Sequence, residues 1–376
     1  MSSLAQLLQH GQSCWMDDLT RHMIESGSLA RRVGEEGLRG ITSNPTIFAE
    51  AIERGDGYAR DIADAAARRE TPKEVYEDLI VSDIQNACDV LRPVYEGTQG
   101  TDGFASLEVS PHLAHDTEGS IEEARRLWRR VDRPNLFIKI PGTAAGVPAI
   151  EQLLFDGVNI NITLLFSVAR FEAVAEAYMR ALERRLAANR PIEGVASVAS
   201  FFLSRIDVLV DELLEQRIAP GGPSAKPDPK ALLGKAGIAN AKLAYRKFRQ
   251  NLATARWQAL ARRGAGVQRV LWASTSTKNP HYPDLMYVEP LIGPFTINTM
   301  PQKTIAAFED HGRIADDTVE QGLREAEQVM ADLERVGIAF DLVTTQLENE
   351  GVQKFIKAYD GLLERLANQT GGAGVK

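Results

Sequence analysis

The stretch LFIKIPG, residues 136–142, holds one charged side chain, Lys139, between Ile138 and Ile140. A short apolar run bounded by Pro and Gly reads as a buried strand, and a strand apolar on both faces is the pattern of a parallel sheet covered by helices. Seven other runs read alike: CWMDD (14–18), LRGITSN (38–44), GFASLEVS (103–110), VNINITLLF (158–166), VASVASFFL (195–203), RVLWAST (269–275) and LMYVEPLIG (285–293). Helical spacing separates them, clearest in IEEARRLWRRV (121–131), VARFEAVAEAYMRALERRL (168–186) and RIDVLVDELLEQRI (205–218). Ser120, three residues before Glu123, reads as a capping box for the first of these. Eight strands alternating with helices predict a single (β/α)8 barrel of the TIM type with extra flanking helices; an open doubly wound sheet is the competing arrangement.

At 376 residues and 41.3 kDa the chain has room for such a barrel and its insertions. The expected organisation is an α/β-barrel catalytic domain over 1–368, with an insertion loop and helix at about 219–262 and a flexible tail over 369–376. The loop opens at APGGPSAKPDPK (219–230), where Pro, Gly and Lys interrupt the apolar pattern, and KTIAAFEDHG (303–312) and the segment from Thr318 to Asn368 read as helices flanking the barrel. Hydrophobic residues at 44% and charged residues at 25% are ordinary for a globular protein, and no run suits a membrane span. The first residues, MSSLAQLLQHGQSCWMDD, lack the basic and apolar regions of a secretory signal, so a cytoplasmic protein is expected. Two cysteines, Cys14 and Cys88, provide no disulfide framework. A net charge of −8 argues against nucleic acid as a partner, and an anionic substrate would need a local cluster of positive groups. Neither GxGxxG nor GxxxxGK[ST] occurs, which speaks against a dinucleotide or nucleoside triphosphate. His112 and His115 are close in sequence but lack a set of further ligands, so no metal is expected.

Within this frame Lys139 is the informative residue. Desolvation favours the neutral amine, the form that attacks a carbonyl carbon, which makes Lys139 a Schiff-base candidate; the alternative is a lysine at a strand end that reaches water or pairs with a carboxylate. Side chains alternate along a strand, so Asn159, Asn161 and Thr163 share one face and Ile160, Ile162 and Leu164 the other. Ser106, Glu108 and Ser110 likewise fall together, as do Thr42 and Asn44. In a barrel these polar faces would gather around one axis with Lys139 and form a substrate pocket. Schiff-base chemistry needs a proton shuttle and a base. Glu108, with a water held between it and Thr163, suits the first role. Asp17 suits the second, with Asp18 beside it on the opposite parity. For an anionic substrate, Arg205 stands where a strand turns into a helix, and WASTSTKNP (272–280) supplies Ser274, Ser276 and Lys278, where barrel loops commonly bind phosphate.

The segments ITSNPTIF, SLEVSPHLAHD, LFIKIPGT, GVNINITLLFS, SFFLSR and WASTSTKNP closely resemble those of the transaldolase family, in the same order and over nearly the whole chain. The resemblance implies a barrel of the Schiff-base (class I) aldolase kind, with no metal and no organic cofactor, and an activity in the non-oxidative pentose phosphate pathway. Its donor would be sedoheptulose 7-phosphate or fructose 6-phosphate, and its acceptor glyceraldehyde 3-phosphate or erythrose 4-phosphate. Carried over, the family's lysine is Lys139, its glutamate and threonine are Glu108 and Thr163, and its first-strand aspartate is Asp17. Asn44 and Asn161 would bind the dihydroxyacetone hydroxyls, with Thr42 and Ser200 nearby and Phe202 as an aromatic wall. Arg205 and Ser274 would bind phosphate. Many members carry an arginine two residues after that serine; here Ser276 occupies the position, and Lys278 is expected to take over the charge. The ASTxTKNP pattern, the PHLAHD segment and the length resemble the longer bacterial subgroup, and a homodimer is the expected assembly. An aldolase that releases the three-carbon unit, and a non-catalytic sugar-phosphate binder, are the competing readings.

Overall fold

The computed structural model describes residues 2–55, 57–218 and 227–371. Eight strands form a closed parallel barrel in chain order: β1 Gln12–Met16, β2 Gly40–Ile41, β3 Phe104–Glu108, β4 Leu136–Pro141, β5 Ile160–Leu165, β6 Ser197–Phe202, β7 Arg269–Ala273 and β8 Thr296–Met300. β8 closes on β1 from Gln12↔Thr296 to Met16↔Met300, which excludes the open sheet. The apolar residues Ile138, Ile140, Ile160, Ile162, Phe201 and Trp272 face outward into one cluster with the surrounding helices. Trp15, Phe104, Phe137, Val198, Leu271 and Ile297 belong to a second cluster inside the barrel, where the Phe104 and Phe137 rings stack at 4.1 Å. Gly40 belongs beside this plug, because a Cβ there would lie 2.5 Å from the Trp15 indole.

The seventh strand is followed not by LMYVEPLIG as a strand but by turns and a 3-10 segment, Glu289–Leu291, and the eighth strand is TINTM, 296–300. Leu285, Tyr287, Val288, Leu291 and Ile292 are apolar because they pack outside the barrel. Carbonyls of this run are taken by side chains instead of a ladder: Trp272 Nε1 and Gln12 Nε2 both donate to the Leu291 oxygen, and Asn298 Nδ2 to that of Tyr287. The capping box at Ser120 is also absent. The helix starts earlier, at Thr117–Val131, and Asp116 caps it by accepting from the Gly119 N–H, leaving Ser120 inside. Glu123 instead accepts from the Ser110 N–H at 2.6 Å, and Ser110, beyond the end of β3, does not join Ser106 and Glu108. Parity also breaks in β5. Leu164 has φ 59° and the register shifts between Ile162 and Leu165, so Leu165 joins the outer cluster and Leu164 turns inward.

Of the expected insertion, 219–226 lie outside the described residues; the rest holds a 3-10 turn, Pro229–Leu232, and helices Ala236–Ala253 and Ala255–Ala261. After β8 come helices Gln302–His311, Leu323–Arg335 and Phe340–Gln369. The last is 30 residues long and packs against Pro45–Glu53, Pro72–Gly97 and Ser204–Glu215, which carries it across one mouth of the barrel. It continues to Gln369, the first residue of the expected tail, and 372–376 lie outside the described residues. Among the described residues no helix is long and apolar enough to cross a membrane.

Candidate active site

Strand register brings the chemistry together. Glu108 of β3 is level with Lys139 of β4, and Lys139 is level with Asn161 of β5, with Thr163 two residues further along. The Lys139 side chain is 5% exposed, so it does not reach bulk water. Its Nζ donates to the Ser43 carbonyl at 3.2 Å and lies 3.4 Å from Glu108 Oε2. That contact lacks hydrogen-bond alignment: among the described residues neither Glu108 oxygen nor Thr163 Oγ1 has a hydrogen-bond partner, although all three are buried. Buried polar atoms are nearly always paired, and a cluster of three that are not is a place built for a ligand or a reaction. Burial pushes the Glu108 carboxyl up, against the pull of Lys139.

Asp17 follows β1 and is held by the Thr42 hydroxyl, which donates to Oδ1 at 2.7 Å. Thr42 and Thr299 hydroxyls are also 2.7 Å apart, and since the Thr42 proton goes to Asp17, Thr299 is the donor there. Burial raises the Asp17 carboxyl, while Lys139 and the Thr42 hydrogen bond lower it. Asp18 faces away and accepts from Gln302 Nε2 at 2.5 Å. Asn44 caps the helix Pro45–Glu53 through Oδ1, which accepts from the Thr46 and Ile47 N–H groups and leaves the amide nitrogen to the pocket. Asn161 is fully buried and set by two hydroxyls: Nδ2 donates to Ser106 Oγ at 3.0 Å, and Oδ1 accepts from Ser200 at 2.7 Å.

These groups surround a cavity of about 270 Å³ at the carboxyl ends of the strands. Asp17, Thr42, Asn44, Lys139, Thr163, Ser200, Phe202, Arg205, Ser274 and Lys278 line it; Glu108 and Asn161 do not, and touch lining residues instead. Arg205 begins the helix after β6 with its guanidinium 5.4 Å from the Phe202 ring, and no carboxylate lies within 4 Å among the described residues, so it is not the ion pair that an isolated surface arginine would form. Ser274 adopts φ 56° and its hydroxyl meets that of Ser204 at 2.9 Å. Lys278 donates to Ser276 Oγ at 2.6 Å. Thr299, Glu50, Lys354 and Phe355 also line the cavity and were not anticipated. Thr299 lies in the missed strand. The other three sit on helices, where nothing in a sequence says which barrel mouth a helix will cover. His112 pairs with Asp360 of the last helix at 2.7 Å, away from the cavity lining.

A closed α/β barrel with a buried lysine among carboxylates at the strand ends defines a barrel enzyme of the aldolase class. The model of the family described as Transaldolase/Fructose-6-phosphate aldolase matches residues 14–366. Transaldolase 2 of a Nostoc species is 47% identical over 97% of each chain. Transaldolase 1 of Streptomyces avermitilis is 46% identical over the whole of this chain and 97% of its own, and the transaldolase of Thermobifida fusca is 46% identical over 98% of each. The chain belongs to the transaldolase/fructose-6-phosphate aldolase family, and it is an enzyme with transaldolase activity.

Proposed function

We propose that Lys139 forms a Schiff base with C2 of a ketose phosphate, fructose 6-phosphate or sedoheptulose 7-phosphate. The observation that carries this reading is the buried Lys139 amine facing Glu108 and Thr163, whose side-chain oxygens have no hydrogen-bond partner among the described residues. A water between those two residues relays a proton to the carbinolamine hydroxyl, which leaves as water and gives the iminium. Asp17 then takes the proton of the substrate C4 hydroxyl. The C3–C4 bond breaks, its electron pair passes into the iminium, and an aldose phosphate leaves with a dihydroxyacetone enamine held on Lys139. Attack of that enamine on glyceraldehyde 3-phosphate or erythrose 4-phosphate runs the same steps in reverse. Asn44 and Asn161 with Thr42 and Ser200 orient the dihydroxyacetone end, Phe202 walls the pocket, and Arg205, Ser274 and Lys278 hold the phosphate. The chemistry uses only protein groups and water. The acidic chain and its family suit a cytoplasmic homodimer acting on sugar phosphates in the non-oxidative pentose phosphate pathway.

The test is product analysis with fructose 6-phosphate, with and without erythrose 4-phosphate. Sedoheptulose 7-phosphate and glyceraldehyde 3-phosphate should appear together, and only when the acceptor is present. Free dihydroxyacetone accumulating regardless of acceptor would move the assignment to an aldolase, and no turnover of fructose 6-phosphate, nor of sedoheptulose 7-phosphate tried in its place, would contradict it.

A further inference from the structure

Besides Lys139, three cations line the cavity: Arg205 after β6, Lys278 after β7 and Lys354 on the helix Phe340–Gln369. Among the described residues none of the three has a carboxylate within 4 Å, although the chain holds 43 basic and 51 acidic residues and outer cations such as Arg170, Lys247 and Arg365 are paired. They repel one another. Partial desolvation lowers the Lys278 ammonium first, and Lys354 and Arg205 lower it further, with Asp17 opposing; partial desolvation and then Arg205 do the same to Lys354, with Glu50 opposing. Like charges gathered with no carboxylate in direct contact repel one another in the empty site, and a bound multiply charged anion relieves that repulsion.

The approach of the last helix is built for this. Gly351, Lys354 and Phe355 stand at positions i, i+3 and i+4, on one helix face. A Cβ at Gly351 would lie 2.9 Å from Leu164 Cδ2 and 3.4 Å from Arg205 Nη1, so a larger residue would hold the helix off the guanidinium. The Phe355 ring is 5.8 Å from the Arg205 guanidinium and 6.0 Å from Lys139 Nζ, which fixes the helix rotation and leaves Lys354 at the cavity wall.

We propose that Lys354 is a third phosphate-binding residue, so that the C-terminal helix as well as the barrel loops selects phosphorylated sugars over unphosphorylated ones. The proposal rests on the sugar-phosphate reading above. Lys354 is exposed to the cavity and outside the packed core, so its replacement should not unfold the protein. The experiment compares wild type, Lys354→Met and Lys354→Arg with fructose 6-phosphate and with fructose as donor, and measures inhibition by inorganic phosphate at low ionic strength. For Lys354→Met, KM for fructose 6-phosphate and the inhibition constant of phosphate should each rise about tenfold, the loss of one charge-assisted hydrogen bond, with kcat little changed. Turnover of fructose should be unaffected, and Lys354→Arg should recover most of the loss. If wild type prefers fructose 6-phosphate and Lys354→Met leaves KM and phosphate inhibition unchanged, or weakens both donors alike, this proposal falls and the function stands. If wild type shows no preference for the phosphorylated donor and no inhibition by phosphate, the sugar-phosphate reading falls, and this proposal with it.

Discussion

The two ends of the barrel interior hold similar side chains in opposite states. At the amino-terminal end Arg269 Nη2 donates to Ser13 Oγ at 2.7 Å and to the Thr296 carbonyl at 2.8 Å, while Nη1 reaches Asp102 Oδ2 at 3.3 Å. Asp102 also accepts from Trp15 Nε1 at 2.7 Å and from the Ser13 hydroxyl. At the other end, among the described residues, Glu108 meets Lys139 at 3.4 Å but neither Glu108 nor Thr163 side chain has a hydrogen-bond partner, and Arg205 has no carboxylate within 4 Å. The aromatic plug of Trp15, Phe104 and Phe137 lies between them. A buried polar group whose hydrogen bonds are met fixes the fold, and one whose hydrogen bonds are not met is held ready for a ligand; burial alone does not tell the two apart.

That contrast can be broken by mutation, and the two ends should fail differently. Asp17→Asn keeps the shape but removes the base, and turnover should drop by roughly 10²–10⁴-fold with little change in melting temperature. The base works only when ionised, and burial lifts the Asp17 carboxyl, so activity should be lost as pH falls through a value above the ordinary aspartate pKa of about 3.9. A pH profile of kcat/KM whose acid limb lies at or below that value would contradict the role. Arg269→Met should do the reverse. It strands a buried Asp102 and should lower stability by about 3–5 kcal/mol in denaturant titration, while the folded fraction keeps its kcat/KM. An Arg269 variant of wild-type stability would mean that the lower network is not what holds that end together.

Much of the upper site was legible because strands are simple. Alternation alone puts Lys139, Glu108 and Thr163 on inward faces, and parallel register then sets them side by side. The errors have physical causes. LMYVEPLIG looks like a strand because burial and extension leave the same apolar signature, whereas TINTM, one strand later, hides behind three polar residues, of which Thr299 turns to the cavity and Asn298 to the outer packing. Leu164 escapes the alternation because its left-handed backbone reverses the parity of β5. Ser120 lost the cap to Asp116 because both fit the start of a helix and only the chain's path decides. Lys354, Phe355 and Glu50 were unreadable, since their place depends on how distant helices cross the barrel mouth.

The most direct test of the account is chemical trapping on Lys139. The protein is incubated with fructose 6-phosphate, reduced with borohydride and digested for mass spectrometry, with Lys139→Met in parallel. A dihydroxyacetone-derived three-carbon adduct on Lys139, absent from the variant, is the predicted result. No adduct from fructose 6-phosphate or sedoheptulose 7-phosphate, or an adduct on a different lysine, would contradict the mechanism.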